Sequence, residues 1–72
     1  MTELIATPLD VIEIGNGAKF VFGGVYAANE GYFAEIHLQN NGKVRMIEKS
    51  SALPNREIAV AWMRERCETN AA

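Results

Sequence analysis

Few residues in this chain are equipped for chemistry, and their spacing keeps them apart. There is one histidine, His37, and one cysteine, Cys67. General acid–base work needs His37 within hydrogen-bond reach of a carboxylate or a nucleophile. Its neighbours Ile36 and Leu38 supply neither. Cys67 falls near the end of a helical stretch, where the dipole raises a thiol pKa and makes the sulfur a poor nucleophile. It reads as a core residue. Glu35 and Glu48 could share a proton only if they met, but strand alternation sends them to opposite faces. A lone cysteine forms no internal disulfide, and no Cys/His spacing suits a metal. The glycines of Gly15-Asn16-Gly17 and Gly23-Gly24 precede no helix, so they do not make a phosphate cradle. No enzyme, cofactor or metal is expected.

What remains is surface. Phe20, Phe22, Tyr26 and Phe33 fall on alternating positions of two stretches that read as strands, with His37, Arg45 and Ile47 on continuing ones. Aromatics flanked by basic side chains suit a docking face. They could bind protein, where buried aromatics and arginine dominate the energy, or nucleic acid, where bases stack on rings between cations. The competing reading makes Phe20 and Phe22 ordinary core residues on a slipped register. A second candidate surface is acidic: Glu57, Glu65 and Glu68 on the helix, with Asp10 and Glu13 near the first turn.

Five elements must position these groups. Residues 9–14 are rich in β-branched side chains and read as a strand, followed by a turn at Gly15-Asn16-Gly17. Residues 18–27 form a second strand, in which Gly23-Gly24 suggests a bulge or bend. A turn at 28–31 pairs Ala27 with Tyr32 and Val21 with Leu38. Residues 32–39 alternate cleanly, with Tyr32, Ala34, Ile36 and Leu38 on one face. A three-residue Asn40-Asn41-Gly42 loop sets Leu38 opposite Val44 and Ile36 opposite Met46, keeping apolar with apolar. The rejected two-residue Asn41-Gly42 turn sets Leu38 opposite Arg45. Strand four spans 43–49. Asn55 is the expected cap of a helix over 56–68, with Glu57 at the positive end of its dipole. Ile58, Ala59, Val60, Trp62, Met63 and Cys67 form its apolar side, Arg66 snorkels, and residues 69–72 are loose. Trp62 is the expected central plug.

The fold class is therefore α+β. A four-stranded antiparallel meander carries one C-terminal helix on one face, in a single domain over 1–72. One helix covers one side. The expected covered side holds Val21, Val25, Ala34, Ile36, Leu38, Val44 and Met46. The open side holds Phe20, Phe22, Tyr26, Phe33, His37, Lys43, Arg45, Ile47 and Lys49.

Size and charge agree with a small binding protein. At 72 residues and 49% hydrophobic content the chain is globular and too short for a separate cofactor domain. By size scaling it buries roughly 60% of its unfolded surface, so its stability is marginal and a partner subunit would help. Seven basic against nine acidic residues give −2, which argues against a general nucleic-acid coat. No basic n-region or long apolar run marks a leader or a membrane span, and a reducing, cytoplasmic setting fits the single cysteine.

A short, acidic meander with a terminal amphipathic helix resembles the small anti-CRISPR proteins of phages and mobile elements. That resemblance rests on size, charge and layout. It implies a bacterial host cell and steric occlusion of an effector complex, with Phe22, Tyr26, Phe33 and Arg45 as anchors. A homodimer is the other protein partnership expected of the sheet face. Residues Asn41-Gly42-Lys43-Val44, then Ser50 or Ser51, then the helix from Arg56, are also similar in order to the short YegP-type bacterial domains. That second resemblance implies a fold only.

Overall fold

The computed structural model describes residues 7–16 and 18–71, and its order of elements is β1 (Asp10–Asn16), β2 (Lys19–Ala28), β3 (Gly31–Asn40), β4 (Lys43–Lys49) and α1 (Arg56–Ala71). The strands form one antiparallel sheet in the order β1-β2-β3-β4, with α1 packed against β1, β2 and β3. This is the α+β meander with one helix that alternation and capping imply. β4 and the start of α1 fall where the sequence places them, and the other strand and helix limits differ by one to three residues. Among the described residues no helix is long and apolar enough to cross a membrane.

The β2–β3 register is the one expected: Ala27 faces Tyr32, Val25 faces Ala34, Gly23 faces Ile36 and Val21 faces Leu38. The turn itself is tighter, because Ala28 and Gly31 still pair across Asn29 and Glu30. β1 likewise runs on through Gly15 to Asn16, which pairs with Lys19. The expected turn at Gly15-Asn16-Gly17 is thus displaced, and Gly17 lies outside the described residues. Gly23-Gly24 is not bulged, since β2 pairs without a break on both sides.

The β3–β4 loop corrects the sequence reading. It is the two-residue Asn41-Gly42 turn, with φ of 53° and 83°, as a type I′ hairpin requires. Leu38 therefore faces Arg45, Gln39 faces Val44, and His37 faces Met46. A bulge follows, after which Ile36 faces Glu48 and Glu35 faces Lys49. The favourable twist of Asn-Gly sets the register at the tip, and the extra residue Ile47 resets it midway. The expected apolar matching of Val44 and Met46 to β3 is absent. Past β4 the chain keeps to the edge of β3: Ser50 N–H donates to the Ala34 carbonyl, and Leu53 and Tyr32 exchange hydrogen bonds.

The helix begins where Asn55 Oδ1 accepts from Ile58 N–H at 2.9 Å, the expected cap. It ends later than residue 68. Asn70 Nδ2 donates both to Glu48 Oε2 and to the Arg66 carbonyl, which holds the last turn on the sheet. Ala59, Met63 and Cys67, four apart, are its buried stripe. They close on Val21, Val25, Ala34 and Ile36 to form the core. Trp62 is not the central plug. It sits half-buried beside the core, with the Arg66 guanidinium 5.9 Å from its ring. Ile58, expected on the apolar side, is 45% exposed.

Gly23 explains how the helix lies so low. A Cβ there would stand 2.6 Å from Met63 Cγ and 2.9 Å from Cys67 Sγ. The missing side chain lets α1 seat directly over the centre of β2, which is why the pair carries no bulge. At the other end of the helix, Arg56 Nε donates to Asp10 Oδ2 at 2.7 Å and its Nη2 to the Leu9 carbonyl, tying α1 to the start of β1.

Candidate functional site

Parity decides where the candidate residues go. Residues directly opposite each other across a ladder share a face. The pairings put Phe20, Phe22, Gly24 and Tyr26 of β2 with Phe33, Glu35, His37 and Gln39 of β3. None of these belongs to the core cluster under the helix. The ladders extend the same face to Val11 and Glu13 of β1, and to Val44, Met46 and Lys49 of β4. All three phenylalanines of the chain thus lie on the side the helix leaves open.

The rings are organised as cross-strand pairs. Phe22 and His37 stack with centroids 5.4 Å apart and planes within 10°. Tyr26 and Phe33 stack at 5.2 Å and 17°. Lys49 Nζ lies 4.9 Å from the Phe33 centroid, a cation–π contact. Each aromatic is half-buried by these neighbours. Burial pushes the Tyr26 phenol above its ordinary pKa, and the nearby Glu35 carboxylate adds to the rise. Gly24 leaves a shallow place in the face, filled by the Tyr26 ring and Pro8; a Cβ there would lie 3.2 Å from Pro8 Cβ.

The rim of the face is the more exposed part. Val11 is 60% exposed on β1, and Val44 and Met46 are 53% and 50% exposed on β4. An apolar surface therefore crosses all four strands, with rings at the centre and aliphatics at both edges. Sequence reasoning missed Val11, Val44 and Met46. Val11 was legible as the alternation-breaking partner of Ile12. The two on β4 were not, because their parity follows from the two-residue Asn41-Gly42 turn, which apolar matching argued against.

Two expected members leave the face. Arg45 lies opposite Leu38 and so takes the helix side, and Lys43 shares its parity. Ile47, the extra residue of the bulge, packs against the core. The patch is thus less basic than expected: Lys49 is balanced by its cross-strand neighbour Glu35, and Glu13 adds a further carboxylate.

The remaining groups keep to structural roles. Glu48 is on the helix side, where Arg66 Nε reaches its Oε1 at 3.1 Å, so it never meets Glu35. The Cys67 thiol is buried under α1, and burial raises its pKa. Among the described residues no three His, Cys, Asp or Glu side chains converge as metal ligands would. Glu57, Glu65 and Glu68 are exposed together on the outer side of α1 beside Arg64, around a shallow groove of about 390 Å³. No protein-family profile, curated protein or solved structure matches this chain.

Proposed function

We propose that this chain is a non-enzymatic protein-docking module whose binding surface is the open face of its sheet. The observation that carries this reading is the partition of side chains. The fully buried core under the helix is small and aliphatic, with Tyr32 at its margin, while every phenylalanine stands on the uncovered side, Phe22 stacked on His37 and Phe33 on Tyr26, between exposed Val11, Val44 and Met46. Apolar surface of that continuity is a recurrent mark of protein interfaces. Phe22, Tyr26 and Phe33 are the anchors. Occlusion of a bacterial effector surface, which the resemblance to anti-CRISPR proteins implies, would use the same anchors without Arg45.

Base stacking is the weaker use of this face. A base needs a free ring face. Phe33 has Tyr26 on one side and Lys49 close to its ring, and Phe22 is stacked on His37. Arg45 and Lys43 point to the other side of the sheet, and Glu13 and Glu35 place negative charge beside the rings. The test is retention on single- and double-stranded DNA and RNA at low and then moderate salt. The docking reading expects no retention at either. Binding at low salt that is lost steeply with added salt would replace it with a nucleic-acid function.

A further inference from the structure

Resting on that docking reading, we infer that the occupant of the open face is a second copy of this chain, and that the protein is a dimer joined sheet to sheet, with a helix on each outer surface.

Area comes first. Two strands of 7 and two of 10 residues make the sheet. At ~4.8 Å between strands and ~3.3 Å per residue the face is about 19 Å wide and 23–33 Å long, roughly 500 Å² in flat outline. A specific interface must bury about 1,000 Å² over both partners. Only a partner covering the whole face reaches that figure. A single helix, about 10 Å across, covers half of it. The inner face shows the shortfall directly, since the backbone of α1 packs over β1, β2 and β3 and reaches β4 through the Arg66 and Asn70 side chains on Glu48. A second flat sheet, at the ~10 Å spacing of stacked sheets, covers all four strands at once.

The distribution of apolar residues points to the chain itself as that sheet. The helix-side core holds seven buried residues: Val21, Val25, Ala34, Ile36, Ala59, Met63 and Cys67, none of them aromatic. Tyr32 and Trp62 stand only at its margin, and all three phenylalanines are on the far side. An aromatic and aliphatic patch of this kind fits the more apolar character of homodimer interfaces. The face is also compatible with its own copy. Its one inner-strand charge, Glu35, is already opposite Lys49 of the edge strand β4, and Glu13 lies on the other edge strand, so superposed faces bring apolar centres together with that charge locally balanced.

Sedimentation equilibrium across a micromolar concentration series tests this, using the full chain and three single variants. Met46→Glu and Val11→Lys each place a charge at an open-face position already exposed in the single chain, so neither disturbs its folding. Ile58→Glu places the same charge at an exposed apolar position of α1. The expected result is a two-chain mass for the parent and for Ile58→Glu, with about a 100-fold weaker dimer for Met46→Glu and Val11→Lys and an unchanged helical circular dichroism signal. A one-chain mass for the parent throughout the series overturns the dimer. It leaves the docking reading to stand or fall on nucleic-acid retention. A parent dimer that all three folded variants preserve overturns the sheet face as the interface.

Discussion

Adjacent glycines on opposite faces of β2 offer a direct measure of which side the helix covers. In Gly23→Ala the new Cβ would meet Met63 Cγ at 2.6 Å, Cys67 Sγ at 2.9 Å and Ile36 Cδ1 at 3.0 Å. Carbon atoms rest at about 3.5–4.0 Å, so relief needs a displacement approaching 1 Å. Met63 can rotate away. Cys67 and Ile36 have little such freedom, being fully buried, and α1 must therefore rise from the sheet. Overpacking of this kind costs about 1–3 kcal/mol, offset by about 0.5–1 kcal/mol from replacing a strand glycine. A net loss of about 1–2 kcal/mol follows, or a fall in Tm of roughly 5–15 °C for a domain of this size. In Gly24→Ala the nearest atoms are Pro8 Cβ at 3.2 Å and the Tyr26 ring at 3.3 Å, both on the open face. Pro8 belongs to the lead-in before β1 and can yield a few tenths of an ångström, so the change stays within about 0.5 kcal/mol. Urea and thermal unfolding followed by circular dichroism read both variants. Equal effects, or a larger loss from Gly24→Ala, would mean that the helix does not seat on the Gly23 side, and the assignment of faces would be refuted.

Asn55→Ala removes the acceptor for Ile58 N–H and should cost about 1 kcal/mol in urea unfolding; no change would show that the cap is idle. The Arg56 guanidinium holds the Asp10 carboxyl below its usual pKa. A group depressed in the folded state contributes stability above its unfolded pKa and loses it as pH falls through the folded value. The Tm difference between the parent and Asp10→Asn should therefore be full at neutral pH and shrink from about pH 4 downward. A difference independent of pH would disprove the linkage. The buried Cys67 thiol, raised in pKa, should react with a thiol reagent only as fast as the helix opens, and its contribution should be lost as pH rises through the folded value. Rapid labelling of the native protein, at the rate seen in urea, would place the sulfur at the surface.

Strand parity was legible wherever pairing was continuous. The alternation of residues 32–39 and the short turn before them sufficed to place Val21, Val25, Ala34 and Ile36 inside and Phe20, Phe22, Tyr26 and Phe33 outside. The cap at Asn55 was legible for a local reason: a side-chain acceptor and a backbone donor three residues on. β4 was not legible, because two terms competed there. Apolar matching favoured a three-residue loop, while the left-handed preference of Asn41 and Gly42 favoured two residues, and the local turn prevailed. The role of Gly23-Gly24 was misread for a related reason. A glycine pair in a strand marks either a bend or a close approach, and only the packing of Met63 and Cys67 distinguishes them. Trp62 follows from that approach. A helix lying this close over Gly23 has no room for an indole beneath it, so the small stripe Ala59, Met63 and Cys67 faces down and Trp62 turns to the flank.

The bulge at Ile47 then links register to the character of the docking face. Without it, the two-residue turn would carry its parity to the end of β4. Lys49 would then lie on the helix side with Arg45, and Glu48 would point to the open face. With it, Glu48 turns inward to Arg66 and Asn70 and Lys49 comes out over Phe33, while Ile47 keeps the core side it would take in either register. One extra residue thus satisfies the end of the helix and exchanges an exposed carboxylate for a cation seated against a ring and beside Glu35. It also leaves Val44 and Met46, on the turn side of the bulge, as the apolar margin of the open sheet. The chemistry of that face, aromatic and nearly neutral rather than basic, is a consequence of backbone register before it is one of composition.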